Sequence, residues 1–291
     1  MIMFPGQGSQ SPGMIKRLAE RHPKMVSELL SRADAALGYS ISKLISPEGD
    51  ADTLQMTEHA QPALVLASAV FCEAIRAEKG DGIFNDAENT VLVGHSLGEF
   101  SASVAASSIM LEEALVATRL RGRAMQKAVE HKEWAMAAVF PLSLDSANAC
   151  CASGCSVANV NSDTQIVFSG ERNAVEDTCH AAKSNFGARR VHHLNVSAPF
   201  HSKMMSPAER ALGEHLKHVD FRDPSVPIIS NVSCRPIANG SELRELLTKA
   251  VTHPVLFSSC IRAARDRLGD DVDFIEAGPG SVLGGLVRRI R

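Results

Sequence analysis

Residues 91–100 read Val91-Leu92-Val93-Gly94-His95-Ser96-Leu97-Gly98-Glu99-Phe100. A short apolar run leads into Gly-x-Ser-x-Gly, and an Ala- and Ser-rich helical stretch follows over 97–106. Strand before and helix after is the context that a nucleophile elbow needs. The turn is so sharp that its flanks cannot carry bulk, hence Gly94 and Gly98. It lifts the Ser96 hydroxyl off the sheet edge and aims the first free amides of the helix at the space above, where a developing oxyanion is stabilised. The same residues also describe an ordinary strand-to-helix turn with Ser96 as the N-cap. Adjacent side chains on a turn diverge, so His95 suits a pocket-wall role better than that of the base.

Outward from the elbow, short apolar runs alternate with longer helical patterns, which predicts an α/β sheet with crossover helices. Met1–Phe4 reads as the first strand, closed by Pro5-Gly6. Helices are expected over 14–36, interrupted near Pro23, over 61–77 and over 111–129. The texture then changes to a strand at 134–140, a short helix at 144–151, strands at 156–160 and 165–169 joined by a polar turn 161–164, a helix at 171–186 and a strand at 189–194. That βαββαβ order is ferredoxin-like. The expected organisation is therefore a core of 1–128 and 196–291 with an inserted subdomain at 129–195. After the insertion come a helix at 207–219, a strand at 226–231, helices at 241–251 and 256–268, a strand at 273–276 and a helix from Ser281.

The bulk composition narrows the class. The chain has 291 residues, 45% hydrophobic, enough to bury a large core. A net charge of -3 with 22% charged residues points to neither a nucleic-acid partner nor a membrane. The longest apolar run, Ala63–Ala74, is interrupted by Glu73 and reads as a buried helix, short of a bilayer span. The seven cysteines include no Cys-x-x-Cys pair, which speaks for reduced thiols in a reducing compartment and against a zinc site. Asn195-Val-Ser and Asn231-Val-Ser match the glycosylation acceptor pattern, idle in such a compartment. No basic presequence opens the chain. A bacterial cytoplasm, or a mitochondrial matrix or plastid after removal of a leader, is the expected location.

Three motifs, Phe4-Pro5-Gly6-Gln7-Gly8-Ser9-Gln10, Gly94-His95-Ser96-Leu97-Gly98-Glu99 and Ala277-Gly278-Pro279-Gly280, resemble the malonyl-CoA:acyl carrier protein transacylases, a family that includes the acyltransferase domains of fatty acid and polyketide synthases. The resemblance runs over nearly the whole chain. It implies a hydrolase-like α/β core with a parallel sheet and an inserted ferredoxin-like subdomain. The implied reaction uses malonyl-CoA as substrate and an acyl carrier protein as partner, with no permanently bound cofactor, no metal, no nucleic acid and no membrane.

The resemblance also assigns residues. Val196-Ser197-Ala198-Pro199-Phe200-His201 matches the segment ending in the catalytic histidine; without it, His201 would read as one surface-loop histidine among eleven. The family orients that histidine with a main-chain carbonyl, here Ala250, where many relatives carry Gln. The oxyanion amides map to Gln7 and Leu97. Gly6-Gln7-Gly8 lacks the lysine and spacing of a phosphate loop. Arg121 takes the family position that grips the malonyl carboxylate through two parallel hydrogen bonds, although three arginines at 119, 121 and 123 alone would describe a solvated face. Phe200 implies crowding of an α-methyl branch. Asn161 matches a pocket-wall position and reads equally as a turn residue. Arg189 and Arg190 fall where the family's smaller subdomain faces coenzyme and carrier. A polyketide-pathway transferase, a serine esterase or thioesterase, and a non-catalytic scaffold are the competing readings.

Overall fold

The computed structural model describes residues 1–130 and 132–290. The domain ranges read from the sequence include His131 and Arg291, which lie outside the described residues. The described strands are β1 (Ile2–Phe4), β2 (Leu92–Gly94), β3 (Trp134–Phe140), β4 (Cys155–Ser162), β5 (Gln165–Glu171), β6 (Arg190–His193), β7 (Ile228–Ile229) and β8 (Ile275–Glu276). They form a parallel sheet of order β7-β2-β1-β8 and a separate antiparallel sheet of order β4-β5-β3-β6.

Parallel strands covered on both faces need apolar residues throughout. Ile-Met-Phe in β1 and Leu-Val-Gly in β2 meet that need, and both strands are wholly buried. Successive side chains point to opposite faces. Ile2, Phe4 and Leu92 join the larger core with the helices Thr57–Lys79, Gly98–Ala105 and Leu111–Ala128. Met3, Val91 and Val93 join a second core with the helices Phe257–Leu268 and Val282–Val287. All four strands end at one edge of the sheet, the usual place for a binding crevice in an open α/β fold.

The helix expected from Gln61 begins instead at Thr57 and carries Pro62 inside it. Proline lacks a donor and disfavours a helix interior, so the local pattern favours a later start. Tertiary contact overrides it. The Glu58 amide donates to Gln126 Oε1 at 3.1 Å, and a Cβ on Gly122 would lie only 2.5 Å from the Thr57 carbonyl oxygen. The full helix is longer than the sequence reading allowed. At 23 residues, with a mean hydropathy of 1.3 over its most apolar window, it is long and apolar enough to cross a membrane, but 67% of that window is buried inside the protein. It is the central core helix.

The antiparallel sheet has the strand order of a ferredoxin-like fold. Ala147, Cys150, Val175, Cys179 and Ala182, from the helices Leu144–Cys150 and Arg172–Asn185, pack on one of its faces. The expected turn 161–164 is shorter than predicted: β4 continues through Ser162, and only Asp163-Thr164 reverse the chain. Asn161 is thus a strand residue. Val255 joins the two regions, since its carbonyl accepts from Val160 N at 2.9 Å and its amide donates to Ala158 O at 2.8 Å. The cysteines are all free thiols, and among the described residues no group of three or more His, Cys, Asp or Glu could hold a metal ion.

Candidate active site

The elbow follows β2 directly. Ser96 sits at φ 52°, a left-handed conformation rare for a residue with a side chain. A Cβ on Gly94 would lie 2.2 Å from the Glu99 amide nitrogen, and one on Gly98 would lie 2.1 Å from the Phe4 carbonyl oxygen. Both glycines are therefore demanded by backbone approach. Gly98→Ala is expected to destabilise the fold by about 3 kcal/mol, because the strand and helix must separate to admit one methyl group. Chemical denaturation measures this, and an unchanged midpoint would show that the elbow can open freely.

Ser96 is not a helix cap. The N-cap position belongs to Leu97, which makes no side-chain cap, and Ser96 Oγ lies 2.7 Å from His201 Nε2. His201 is 3% exposed and itself left-handed at φ 58°. Its Nδ1 faces two acceptors, the Ala250 carbonyl at 2.8 Å and the His253 carbonyl at 3.0 Å. Carbonyls only accept, so Nδ1 carries the proton and Nε2 presents its lone pair to the Ser96 hydroxyl. Burial first, and then the Arg121 charge, push the His201 pKa down to about 3. The imidazole is therefore neutral, as a base must be. The family resemblance points to the Ala250 carbonyl and not to that of His253.

Arg121 is 3% exposed, which overturns the solvated-face reading. Its Nη1 donates to Gln61 Oε1 at 2.9 Å and its Nη2 lies 3.5 Å from Ser96 Oγ, while its buried Nε has no partner among the described residues. Gln61, 1% exposed, also donates from Nε2 to Met125 Sδ at 3.5 Å, so it is fixed on both sides. Burial lowers the Arg121 pKa to about 10, which still leaves it charged at neutral pH. Its titratable neighbour Glu99 is pushed up to about 8 by burial and is mostly a neutral acid at pH 7. Arg121 makes no ion pair among the described residues. A buried guanidinium with an unused donor calls for a carboxylate.

The glycine-rich turn after β1 lies against the elbow. A Cβ on Gly6 would lie 2.6 Å from the His95 carbonyl oxygen, and one on Gly278 would lie 2.4 Å from Pro5 Cγ. The three motifs that are remote in sequence are thus neighbours in space. Neither the main-chain N–H of Gln7 nor that of Leu97 donates a hydrogen bond among the described residues. The Ser96 amide is unavailable, because Asn231 Oδ1 accepts from it at 2.7 Å. Gln7 Nε2 donates to Thr57 Oγ1 at 3.1 Å, and Thr57 Oγ1 is in close contact with Ser197 Oγ, so Thr57 ties this turn to the His201 segment.

His95 and Asn161 come together, with His95 Nε2 2.9 Å from Asn161 Oδ1 and the His95 ring 5.3 Å from that of Phe257. Burial lowers the His95 pKa and the Asn161 contact opposes it. A neutral ring donating from Nε2 matches the acceptor it faces. Phe200 is half-buried and packs against both the larger core and the small cluster of the antiparallel sheet. Arg189 and Arg190 are exposed at the edge strand β6. Asn231 is 0% exposed, so its glycosylation pattern is closed off inside the fold.

Over residues 1–289 the chain matches the family described as acyl transferase domain. The chain belongs to this acyltransferase family. A similar curated relative is the malonyl CoA-acyl carrier protein transacylase of Bacillus subtilis, 39% identical over 99% of this chain and 89% of the relative. Among solved structures, the acyl carrier protein S-malonyltransferase of Vibrio cholerae superposes with a TM-score of 0.92 at 35% identity, covering 99% of this chain and 92% of that one. A type II polyketide synthase acyl carrier protein in complex with its malonyl-transacylase gives a TM-score of 0.90 at 34% identity, with 99% and 92% covered. The acyltransferase fold, a parallel sheet with a separate antiparallel sheet, accounts for both sheets seen in this chain.

Proposed function

We propose that the chain transfers the malonyl group from malonyl-CoA to the phosphopantetheine thiol of an acyl carrier protein through an ester on Ser96. One observation carries the reading: a neutral, buried His201 stands 2.7 Å from Ser96 Oγ while the buried Arg121 guanidinium stands 3.5 Å from the same oxygen. The first provides a base for the nucleophile. The second provides a counter-charge for an acyl group that ends in a carboxylate.

In the first half-reaction His201 Nε2 takes the Ser96 proton as Oγ attacks the thioester carbonyl. The Gln7 and Leu97 amides hold the oxyanion, and coenzyme A leaves as its thiol with the proton from His201. In the second, His201 takes the proton of the carrier thiol, the sulfur attacks the Ser96 ester, and Ser96 recovers a proton. Arg121 holds the malonyl carboxylate throughout, the ring of Phe200 limits the space at the α-carbon, and His95 with Asn161 lines the wall. Arg189 and Arg190 supply positive charge toward the coenzyme phosphates or an acidic face of the carrier. The reading keeps 1–128 with 196–291 as the core and 129–195 as the insertion. It places the enzyme with its substrates in a bacterial cytoplasm, a mitochondrial matrix or a plastid.

Incubation with malonyl-CoA alone, followed by intact mass, tests the proposal. The expected result is a gain of one malonyl group that Ser96→Ala does not show and that an added holo carrier protein removes. Release of free malonate with no carrier present would favour a thioesterase. A fatty acid pathway is the assigned destination, and the likeness to a polyketide transacylase makes a polyketide carrier the comparison substrate.

A further inference from the structure

Ser96 holds a left-handed backbone at φ 52°, a conformation that costs on the order of 1–3 kcal/mol and persists only where its surroundings fix it. Against it stands Asn231, just past the end of β7 and completely buried. Its Oδ1 accepts from Ser96 N at 2.7 Å and its Nδ2 donates to Gly94 O at 2.7 Å, so one side chain grips the main chain on both sides of His95. Because one partner is an N–H and the other a C=O, the orientation of the amide is determined. Asn231 is itself held from behind. Its own amide donates to Glu99 Oε1 at 2.8 Å, and Glu99, 1% exposed, lies in the first turn of the helix that leaves the elbow. Strand end, nucleophile and helix start therefore all meet at Asn231.

This arrangement has a chemical consequence. With Ser96 N occupied, the amide that remains for an oxyanion on this side is Leu97 N, and the hydroxyl is left to His201. We infer that Asn231, oriented by Glu99, is the positioning residue that holds Ser96 at its attack geometry; the inference rests on the acyl-serine reading above. Neither residue need touch substrate. The role asks of Glu99 only one acceptor oxygen in a fixed place, and its Oε2 has no partner among the described residues. A glutamine can supply the same acceptor.

Four variants test it: Asn231→Ala, Asn231→Ser, Glu99→Leu and Glu99→Gln. The readouts are the rate of Ser96 labelling by a serine-directed fluorophosphonate, kcat and KM with malonyl-CoA, and the thermal midpoint. Asn231→Ala and Glu99→Leu are expected to lower labelling and kcat by about 100-fold, the scale of a roughly 1 Å misplacement, with KM within about threefold because Arg121 and Gln61 are untouched. Glu99→Gln is expected to restore both rates to within about threefold of the parent. A folded Asn231→Ala that labels and turns over like the parent overturns the inference, as does a loss confined to KM or a Glu99→Gln as damaged as Glu99→Leu. If Asn231→Ala does not fold, Asn231→Ser is judged by the same criteria. A parent that reacts with the fluorophosphonate but not with malonyl-CoA removes the acyl-transfer reading and leaves the positioning role to be decided by the labelling rates.

Discussion

Replacing His201 by alanine is expected to slow acylation of Ser96 by malonyl-CoA by about 10⁴–10⁶-fold, with the fold retained. The 2.7 Å contact is the only route for the Ser96 proton that the described residues offer, and the two carbonyls on Nδ1 fix the tautomer that can take it. The pH dependence follows from burial. An ordinary histidine loses its basic form below about 6.5, whereas His201, held down to about 3, remains an available base well below that. Acylation by the parent, followed by single-turnover mass analysis, should therefore show no fall near pH 6.5. A decline centred there would mean that the active base is a solvated imidazole.

The same shift has a cost in stability. The unfolded chain protonates His201 near 6.5 and the folded chain only near 3, so between those values the unfolded state binds the extra proton. Stability is fully present above 6.5 and falls with pH across that window, by about 1.4 kcal/mol per pH unit for one group. His95, lowered in the same direction by burial, adds to the slope. Denaturant midpoints between pH 7 and pH 5 should decline accordingly, and less steeply in His201→Ala.

What the sequence reveals about this site depends on how local each feature is. The elbow is legible because strand, glycines and serine lie within ten residues, and the steric need for Gly94 arises inside the same stretch, although that for Gly98 comes from Phe4 in β1. The βαββαβ texture is legible for a similar reason, since hairpins and short helices carry their own periodicity. His201 and Arg121 were not visible in that sense. Their own surroundings look like a loop and a charged helix, and only resemblance to a family singled them out. Asn231, Gln61, Thr57 and Glu99 escaped altogether, because their partners lie 50 to 137 residues away in sequence. Asn231 even carried a misleading pattern. The one available signal was a polar residue closing an apolar strand at the edge where the elbow emerges. The His253 carbonyl could not have been found, since a main-chain acceptor leaves no mark in the choice of side chain. Where propensity did mislead, at Pro62, the overriding cause was packing from another element; at the 161–164 turn, β4 runs on through Ser162.

Arg121→Leu is expected to lower kcat/KM for malonyl-CoA by about 10²–10³-fold while leaving acetyl-CoA unchanged or faster, so that the ratio of the two collapses. The argument begins with an energetic oddity. Among the described residues, this guanidinium, buried to 3% exposure, makes no ion pair, holds one strong hydrogen bond to Gln61 and leaves Nε unpartnered. Such a group is unfavourable in the empty site. A malonyl carboxylate removes the deficit, and a neutral acyl chain does not, so discrimination comes from what the wrong substrate leaves unpaired. Glu99 stays largely neutral at pH 7, so it does not take up the Arg121 charge. Above about pH 8 Glu99 ionises beside Arg121 and competes for it, so malonyl-CoA affinity should weaken there while acetyl-CoA transfer does not. Arg121→Lys keeps a point charge but loses the planar fork and its bond to Gln61, and should fall between parent and Arg121→Leu. Acylation rates for both thioesters, measured in all three proteins, decide the matter. A malonyl-to-acetyl ratio that survives Arg121→Leu would place carboxylate recognition elsewhere and strip Arg121 of its role.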